Sequence, residues 1–294
     1  MKEIVGAGPG TQELMVSIGG CEAWAVNYLA FGRELQAGEE ILVNTTAAEL
    51  GLGSGGCHFV IAPLAIPPGG IANEGPGHIV KLRYTPCQHA VPALEEEGSP
   101  YRAAIDGFTD LAGFPVVIGM LHSHVAPAAI ALKALLGPDS RLGYVMTDAA
   151  GLGLGFSRAI PELRARGLID FTITCGQAFG GDHEAVNVYT ALIAVRRALG
   201  ADAAIVAQGP GNVGTGTAYG FGCIEQGETV NAVGILGGKP IAVLRISFRE
   251  SRERHRGVSH HSLTAIGKVA LAPAMIPIPL KILIPPVAPA EKPR

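Results

Sequence analysis

The chain has 294 residues, of which 48% are hydrophobic and 16% charged, and its formal charge at pH 7 is −3. This charge argues against a nucleic-acid-binding protein, because such proteins carry clustered positive charge, and the apolar runs are interrupted before they reach the length of a membrane span. The first residues lack the apolar core of a secretory signal and the five cysteines are too scattered for a disulfide framework, so we expect a cytoplasmic protein with no membrane partner.

Residues 1–90 are predicted to form a small β-rich, barrel-like domain. Short β-prone runs alternate there with Gly-rich turns, a spacing that is typical of all-β domains. The segment GAGPG at 6–10 is predicted to be a turn, and the Pro- and Gly-rich segment 66–77 to be a long loop. The predicted strands are 13–18, 23–31, 39–45, 57–62 and 79–86.

Residues 91–272 show a different pattern, in which apolar strand runs alternate with helical runs. Strand–helix–strand alternation with short connections predicts right-handed crossovers and a parallel sheet. We therefore predict an α/β domain with a mainly parallel, doubly wound, Rossmann-like sheet. Its helix at 182–200 is predicted to begin at an N-cap, Asp182, and to end at Gly200. The predicted strands are 115–121, 141–147, 170–175, 203–208 and 240–248, and the predicted helices are 127–137, 157–167, 182–200 and 224–238.

The last segment, 273–294, is rich in proline. Proline cannot continue a helix or donate to a central strand. We predict an extended segment at an edge of the sheet, followed by a disordered end.

Polar and glycine-rich segments follow all five strands of the predicted parallel sheet. Ligands bind beyond the carboxyl ends of the strands in open α/β sheets, so these segments are expected to converge on one site. The alternative is that they are ordinary surface loops, which are also polar and glycine-rich. The segments are HSH at 122–124, DAAG at 148–151, GQAFGGDH at 176–183, GPGNVGTGT at 209–217 and SHH at 259–261.

Histidine and aspartate side chains in these segments are the candidates for chemistry. On an extended segment His122 and His124 would face the same side, which is a suitable geometry for a metal ion. No spacing matches a defined zinc motif, and a histidine at a strand end is often only hydrogen-bonded. The candidate catalytic residues are His122, His124, His260 and Asp182, and the candidate ligands of a divalent metal such as zinc are His122, His124, Asp148 and His261.

The segment GPGNVG at 209–214 fits the pattern G-x-G-x-x-G directly after a predicted strand. In dinucleotide sites these glycines let backbone amides approach a pyrophosphate. The next strand lacks the acidic residue that binds the ribose of NAD, so the segment is either a cradle for another anion or a turn without a ligand. An Arg-rich run at 245–256 offers further anion-binding groups, although such runs commonly pair with their own carboxylates. The candidate binding residues are Gly209, Gly211, Gly214, Thr215 and Arg252.

Six longer segments together resemble an uncharacterised bacterial domain-of-unknown-function family, family 3866. They include MLHSHVAP at 120–127, TCGQAFGGDHEAVNVY at 174–189 and AIVAQGPGNVGTGT at 204–217. The resemblance spans nearly the whole chain except the Pro-rich tail. The family carries no assigned activity, so the resemblance implies that the chain is one unit and implies no reaction or catalytic residue.

The sequence leaves three functions open. The first is an enzyme, either a metal-assisted hydrolase or an acid–base catalyst, that acts on a small anionic or phosphorylated metabolite at the C-terminal edge of the sheet. The second is a non-catalytic nucleotide- or metabolite-binding regulatory module that uses the same site. The third is an RNA-associated protein, which the net charge disfavours. The expected partner is thus a small anionic molecule, and a homo-oligomer is compatible with the sequence.

Overall fold

The computed structural model describes residues 1–51, 55–65 and 77–278. The loop predicted at 66–77 lies outside these residues except for Gly77, and so does the tail from residue 279 onward. Within the described ranges, no helix is long and apolar enough to cross a bilayer.

The N-terminal part is an open, mixed sheet of five strands, which confirms the predicted β-rich character. Its elements are β1 (Glu3–Gly8), β2 (Thr11–Ile18), β3 (Cys21–Tyr28), β4 (Ile41–Asn44), α1 (Thr46–Glu49) and β5 (His58–Pro63). The strand order is β1-β2-β3-β5-β4, in which β3 and β5 are parallel and the other neighbours are antiparallel. No pairing between described residues joins β1 to β4, so the sheet does not close into the predicted barrel.

Two local predictions in this part were wrong. Most of the segment 6–10 is strand, because β1 runs to Gly8 and only the next two residues form the turn. β1 is largely exposed, so no apolar run marks it. The strand predicted at 79–86 ends early, because Leu82 and Tyr84 have positive φ angles. The short strands are β6 (Ile79–Lys81) and β7 (His89–Val91), which pair antiparallel.

The second part contains a six-stranded sheet in which every pairing is parallel. After α2 (Arg102–Asp106) come β8 (Pro115–Ile118), β9 (Leu142–Thr147), β10 (Phe171–Cys175), β11 (His183–Ala185), β12 (Ala203–Gln208) and β13 (Lys239–Ala242). The order is β11-β10-β9-β12-β8-β13, which is not the 3-2-1-4-5-6 order of dinucleotide-binding folds. Every residue of β9, β10 and β12 is buried, as expected for strands covered on both faces. The predicted parallel sheet is therefore confirmed.

Helices cover both faces of the parallel sheet. They are α3 (Val125–Leu136), α4 (Ala159–Ala165), α5 (Val188–Ile193) and α6 (Glu225–Ile235). Val125 of α3 and Ile160 of α4 join one buried apolar cluster on the first face. Leu192 of α5 and Val233 of α6 join a separate cluster on the second face. The sheet thus lies between two helical layers.

The helix predicted at 182–200 begins later than expected. β11 comes first, and α5 is capped by Asn187, whose side chain accepts hydrogen bonds from two backbone N–H groups of the first turn. α5 then continues as a π-helical turn, Ala194–Ala198. Asp182 is not an N-cap, because its carboxylate accepts a hydrogen bond from the backbone of Thr172 in β10.

The strand predicted at 240–248 is divided in two. The elements beyond β13 are β14 (Ile246–Ser247), β15 (Gly257–Val258) and α7 (His260–Thr264). β14 leaves the parallel sheet and pairs antiparallel with β15. The chain then returns to the sheet, where Met275 forms a parallel bridge with Ile241 of β13. This bridge confirms an extended edge segment at the start of the tail.

The β6–β7 pair connects the N-terminal part to the parallel sheet. Lys81 is fully buried, and its Nζ lies 2.5 Å from Oε2 of Glu184 and donates to the carbonyl of Thr174. Ala93 forms a parallel bridge with Glu184 at the outer side of β11. Residues on both sides of position 90 are therefore bonded to the same residue of β11, Glu184. The division into 1–90, 91–272 and 273–294 stays a prediction.

Candidate functional site

The neighbouring strands β8 and β12 lead to helices on opposite faces of the sheet. α3 follows β8 on one face, and α6 follows β12 on the other. This divergence opens a crevice beyond the carboxyl ends of the two strands, where ligands of parallel α/β sheets bind. The crevice lies at the edge where the sequence predicts the site.

A cleft of about 280 Å³ opens at this edge between three segments of chain. Leu121 comes from the turn after β8, and Asn212, Gly214 and Gly216 come from the glycine-rich loop after β12. The remaining wall comes from the segment after β13. The ends of three adjacent strands therefore contribute to one cavity.

Three arginines in the segment after β13 make this cavity cationic, and we call it the arginine cleft. They are Arg245, Arg252 and Arg254. Arg245 and Arg252 share Glu250, with nitrogen–oxygen distances of 2.9 and 2.8 Å. Arg254 pairs with no carboxylate among the described residues. Its guanidinium lies beside the glycine-rich loop, because a β-carbon at Gly216 would be 3.8 Å from Cζ of Arg254. Arg254, rather than the predicted Arg252, thus offers an unpaired guanidinium to an anion.

The segment 209–214 does not form the dinucleotide-binding motif that its spacing suggests. Gly209 packs against the backbone of Gly151, and a β-carbon at Gly209 would lie 2.0 Å from the Gly151 oxygen. The loop continues for several residues, and α6 begins only at Glu225. Since no helix starts at the motif, the amides of a helix N-terminus are not available to a pyrophosphate there.

The other predicted binding residues of this loop are Gly211, Gly214 and Thr215, and only one of them lines the cleft. Gly214 lines it, and a β-carbon there would lie 3.4 Å from Cε1 of His261. Gly211 has a φ of +83° and no atoms within 4 Å of its β-carbon position. Thr215 is exposed, and its hydroxyl donates to a backbone oxygen of the same loop. Of the glycines and threonine predicted to bind a ligand, only Gly214 reaches the cleft.

Three histidines cluster against the wall of the cleft. His255 ends a 3₁₀ turn, while His260 and His261 begin α7 behind Ser259, whose hydroxyl accepts the N–H of His261. The three ring centroids are 4.3 to 4.9 Å apart. One nitrogen from each ring lies within 4.8 Å of the others, and no other such trio of His, Cys, Asp or Glu occurs in the described part of the chain. His255 and His261 line the cleft.

Burial and neighbouring cations hold these imidazoles in their neutral form. Burial and then Arg245 lower the pKa of His255 to about 4. Burial and then the two other imidazoles lower the pKa of His261 to about 4. The pKa of His260 is also lowered, by burial and by Arg254. Neutral imidazole is the form that binds metal ions.

His122 and His124 lie at the same edge but outside this cluster. They form a 3₁₀ turn rather than an extended segment, so the alternation that would direct both rings to one side is absent. The Nδ1 of His122 is 3.1 Å from the Tyr144 hydroxyl, and its Nε2 is 2.7 Å from the Ser157 hydroxyl. The Nδ1 of His124 accepts the backbone N–H of Met120. These contacts favour hydrogen-bonded, structural histidines.

Asp148 and Asp182 are likewise engaged in local structure. Asp148 accepts the backbone N–H of Gln177 at 2.8 Å. Asp182 pairs with Arg164 and accepts both the N–H and the hydroxyl of Thr172. The predicted residues in the arginine cleft or in the histidine cluster beside it are Gly214, Arg252, His260 and His261, whereas those held elsewhere are His122, His124, Asp148, Asp182, Gly209, Gly211 and Thr215.

The N-terminal sheet covers the other half of the carboxyl edge. The ring of Tyr28 in β3 contacts Phe179 beyond β10, with centroids 5.5 Å apart. Trp24 stacks with Phe156 beyond β9. A β-carbon at Gly153 would lie 2.4 Å from the Tyr28 ring, so the loop after β9 approaches the sheet closely. The open part of the edge is therefore at the ends of β8, β12 and β13.

A family model covers nearly all of these elements. The model described as "Protein of unknown function (DUF3866)" matches residues 24–283. The chain belongs to this family. The match includes the glycine-rich loop, the arginines and the histidine cluster, and it confirms the family resemblance seen in the sequence. Neither curated proteins nor solved structures give a match to the chain.

Two site residues of this DUF3866 chain are not singled out by its sequence. His255 lies within the Arg-rich run, which in most proteins is simply solvated, yet the segment RHRGVSHH places three histidines within seven positions. That spacing is the signal that could have found it. Arg254 and Arg252 look equivalent in the sequence, because the pairing of Arg252 with Glu250 appears only in the structure.

Proposed function

We propose that this protein is an enzyme that acts on a small phosphorylated or otherwise anionic metabolite bound in the arginine cleft. The observation that carries the proposal is that the unpaired guanidinium of Arg254 and the imidazoles of His255 and His261 line one cavity of about 280 Å³. Guanidinium groups bind phosphate and carboxylate oxygens in a bidentate manner. The volume is near the lower end of small-molecule sites, which favours a small ligand.

The charge around the cleft favours an anion. Glu250 is the carboxylate that pairs with Arg245 and Arg252, and Arg254 adds a further positive charge. A concave site with excess charge of one sign concentrates ligands of the opposite sign. The cleft therefore attracts small anions even though the whole chain carries a formal charge of −3.

The histidines supply the chemistry beside the anion. Neutral imidazoles either accept a proton from a reacting group or hold a metal ion that activates water. General acid–base catalysis works best when the pKa lies near the working pH, and the pKa of both His255 and His261 is about 4. Metal-assisted hydrolysis is therefore favoured over proton transfer by these histidines alone.

Binding of inorganic phosphate tests the anion site. Calorimetry at constant ionic strength is expected to show phosphate binding to the wild type, weakened about tenfold or more in Arg254→Gln, since a hydrogen bond to a charged group contributes about 1.5–3 kcal/mol. Arg256→Gln is the matched control, because it removes the same charge from an exposed residue that does not line the cleft. Equal phosphate affinity in both variants would place the anion elsewhere.

Turnover distinguishes an enzyme from a regulatory module that uses the same cleft. The wild type and Arg254→Gln would be incubated with a panel of phosphate monoesters and diesters, and the released alcohol and phosphate would be measured. Release by the wild type that falls in Arg254→Gln supports the enzyme. Phosphate binding without turnover of any panel member supports the non-catalytic module.

A further inference from the structure

One nitrogen of the histidine cluster is buried without a hydrogen bond. Nε2 of His260 has no partner among the described residues. Buried polar atoms nearly always have a partner, so such an atom points to a ligand that completes it. The rings of His255 and His261 lie 4.9 and 4.3 Å from the His260 ring, and the ligand has to fit between these groups.

The two other imidazoles are held in fixed orientations. Nδ1 of His255 lies 2.8 Å from the hydroxyl of Ser259. Nδ1 of His261 lies 3.7 Å from Sγ of Cys223, while its ring stacks on Phe221 with centroids 3.9 Å apart. Contacts to one ring nitrogen that fix the orientation of the ring are a regular feature of metal-binding histidines, because they direct the other nitrogen at the ion.

We propose that His255, His260 and His261 bind one divalent transition-metal ion, with zinc as the ion best suited to three imidazoles. In a tetrahedral zinc site the nitrogens would be about 3.4 Å apart, given zinc–nitrogen bonds of about 2.1 Å. The three nitrogens lie within 4.8 Å of one another, so small side-chain rotations complete the site. Three protein ligands leave one coordination position, as in catalytic zinc sites. That position opens on the arginine cleft, because His255 and His261 line it.

The arginines make metal binding and anion binding interdependent, and this part of the inference rests on the proposed function. Arg245 and Arg254 line the same cleft as His255 and His261, and a guanidinium nitrogen of Arg245 lies 3.4 Å from Nδ1 of His255, so their positive charge opposes the binding of a bare cation. An anion in the cleft offsets this charge and offers an oxygen to the open coordination position. Each ligand is therefore expected to raise the affinity for the other by the same factor.

Cobalt(II) is a direct probe of the metal site, because it occupies zinc sites and its visible absorption reports coordination. Tag-free wild type is expected to bind one Co²⁺ per chain, and His260→Ala to bind it about tenfold more weakly or not at all. His122→Ala is the matched control. It removes a histidine from the same sheet edge whose ring nitrogens contact Tyr144 and Ser157, and it is expected to keep full Co²⁺ binding.

Three results would overturn the metal site. They are a wild type that takes up neither Co²⁺ nor Zn²⁺ at micromolar free metal, a folded His260→Ala with unchanged Co²⁺ affinity, and a folded His122→Ala that loses the ion. Circular dichroism checks the fold of each variant. Should His260→Ala unfold, His260→Gln replaces it in the comparison. The uptake of Co²⁺ by the wild type still decides whether the metal site exists.

Phosphate affinity separates the metal site from the proposed function. Equilibrium dialysis is expected to show phosphate bound at least about fivefold more tightly by Co²⁺-loaded than by metal-free wild type. Stoichiometric Co²⁺ with no effect of loading or of Arg254→Gln on phosphate would overturn the anion site and leave the metal site standing. Phosphate binding that needs Arg254, with no Co²⁺ uptake, would overturn the metal site alone.

Discussion

Glu225 is a carboxyl group whose surroundings in the folded chain disfavour its charge. It begins α6, and its Oε2 accepts a hydrogen bond from the Thr147 hydroxyl at 2.7 Å. Burial raises the pKa of Glu225 from 4.5 to about 7, with Asp148 and Glu228 adding to the effect and Thr147 opposing it. Glu225→Gln removes the charge and keeps an oxygen that can accept the Thr147 hydroxyl. The variant therefore isolates the effect of the charge.

The effect on stability follows from the two pKa values, 4.5 for the unfolded chain and about 7 for the folded protein. Below the lower value the carboxyl is protonated in both states and has no effect. Between the two values the unfolded chain ionises while the folded protein stays protonated, so the free energy of unfolding falls by about 1.4 kcal/mol per pH unit. Above the higher value the loss levels off on the order of 3 kcal/mol. Glu225→Gln is expected to lack this loss, and so to be more stable than the wild type at alkaline pH.

Urea denaturation at about pH 5 and about pH 8 measures this difference. Glu228→Gln is the matched control, because it makes the same change at an exposed position in the first turn of the same helix. The free energy of unfolding of the wild type and of Glu228→Gln is expected to fall more between the two pH values than that of Glu225→Gln. If Glu225→Gln loses as much stability as the wild type, the raised pKa and the reasoning behind it are refuted.

Two further substitutions test buried contacts, one where the N-terminal part meets the parallel sheet and one at the start of the glycine-rich loop. Lys81→Ala leaves the buried carboxylate of Glu184 without its counter-charge and is expected to lower the free energy of unfolding by about 3–5 kcal/mol. The double variant Lys81→Met with Glu184→Gln is expected to lose much less free energy of unfolding than Lys81→Ala, as measured by urea denaturation. An equal loss in the two variants would contradict the assignment of the effect to the unpaired charge. Gly209→Ala places a β-carbon 2.0 Å from the Gly151 oxygen and is expected to cost about 1–3 kcal/mol and to weaken phosphate binding. Gly211→Ala is the control, because a side chain at Gly211 is strained only by the φ of +83°. It is expected to lower the free energy of unfolding by about 1 kcal/mol. A smaller loss for Gly209→Ala than for Gly211→Ala would argue against close packing of Gly209 on Gly151.

The parallel sheet could be predicted because its strands carry a local signal. β9 and β12 are apolar runs bounded by polar or glycine-rich turns, and their burial on both faces makes the runs continuous. Whether the N-terminal sheet closes into a barrel or stays open could not be predicted, because this depends on pairing between distant segments. β5 pairs with β3 and leaves β4 at the edge, and no short-range pattern encodes this choice.

The edge that carries the candidate site follows from chain direction, but its individual residues do not. Asp182 has the chemistry of an N-cap, yet its carboxylate is bonded to Arg164 and Thr172, which lie 18 and 10 positions earlier in the chain and belong to other elements. The same is true of His122, whose partner Tyr144 lies in the next strand along the chain. Side-chain pairing of this kind decides which polar groups remain free for a ligand, and it appears only in three dimensions.

Both borders of the parallel sheet are occupied by short stretches of the same chain. At β13, Met275 exchanges backbone hydrogen bonds with Pro240 and Ala242, each of 2.9 Å, and at β11 the N–H of Leu94 donates to the oxygen of Glu184 at 2.8 Å. Free strand borders are the usual template on which one molecule adds its strands to another. With these positions already bonded, little template is left for a second copy. Self-association of this chain would therefore use helix, loop or N-terminal surfaces. Substitutions in β11 or β13 would leave such self-association unchanged.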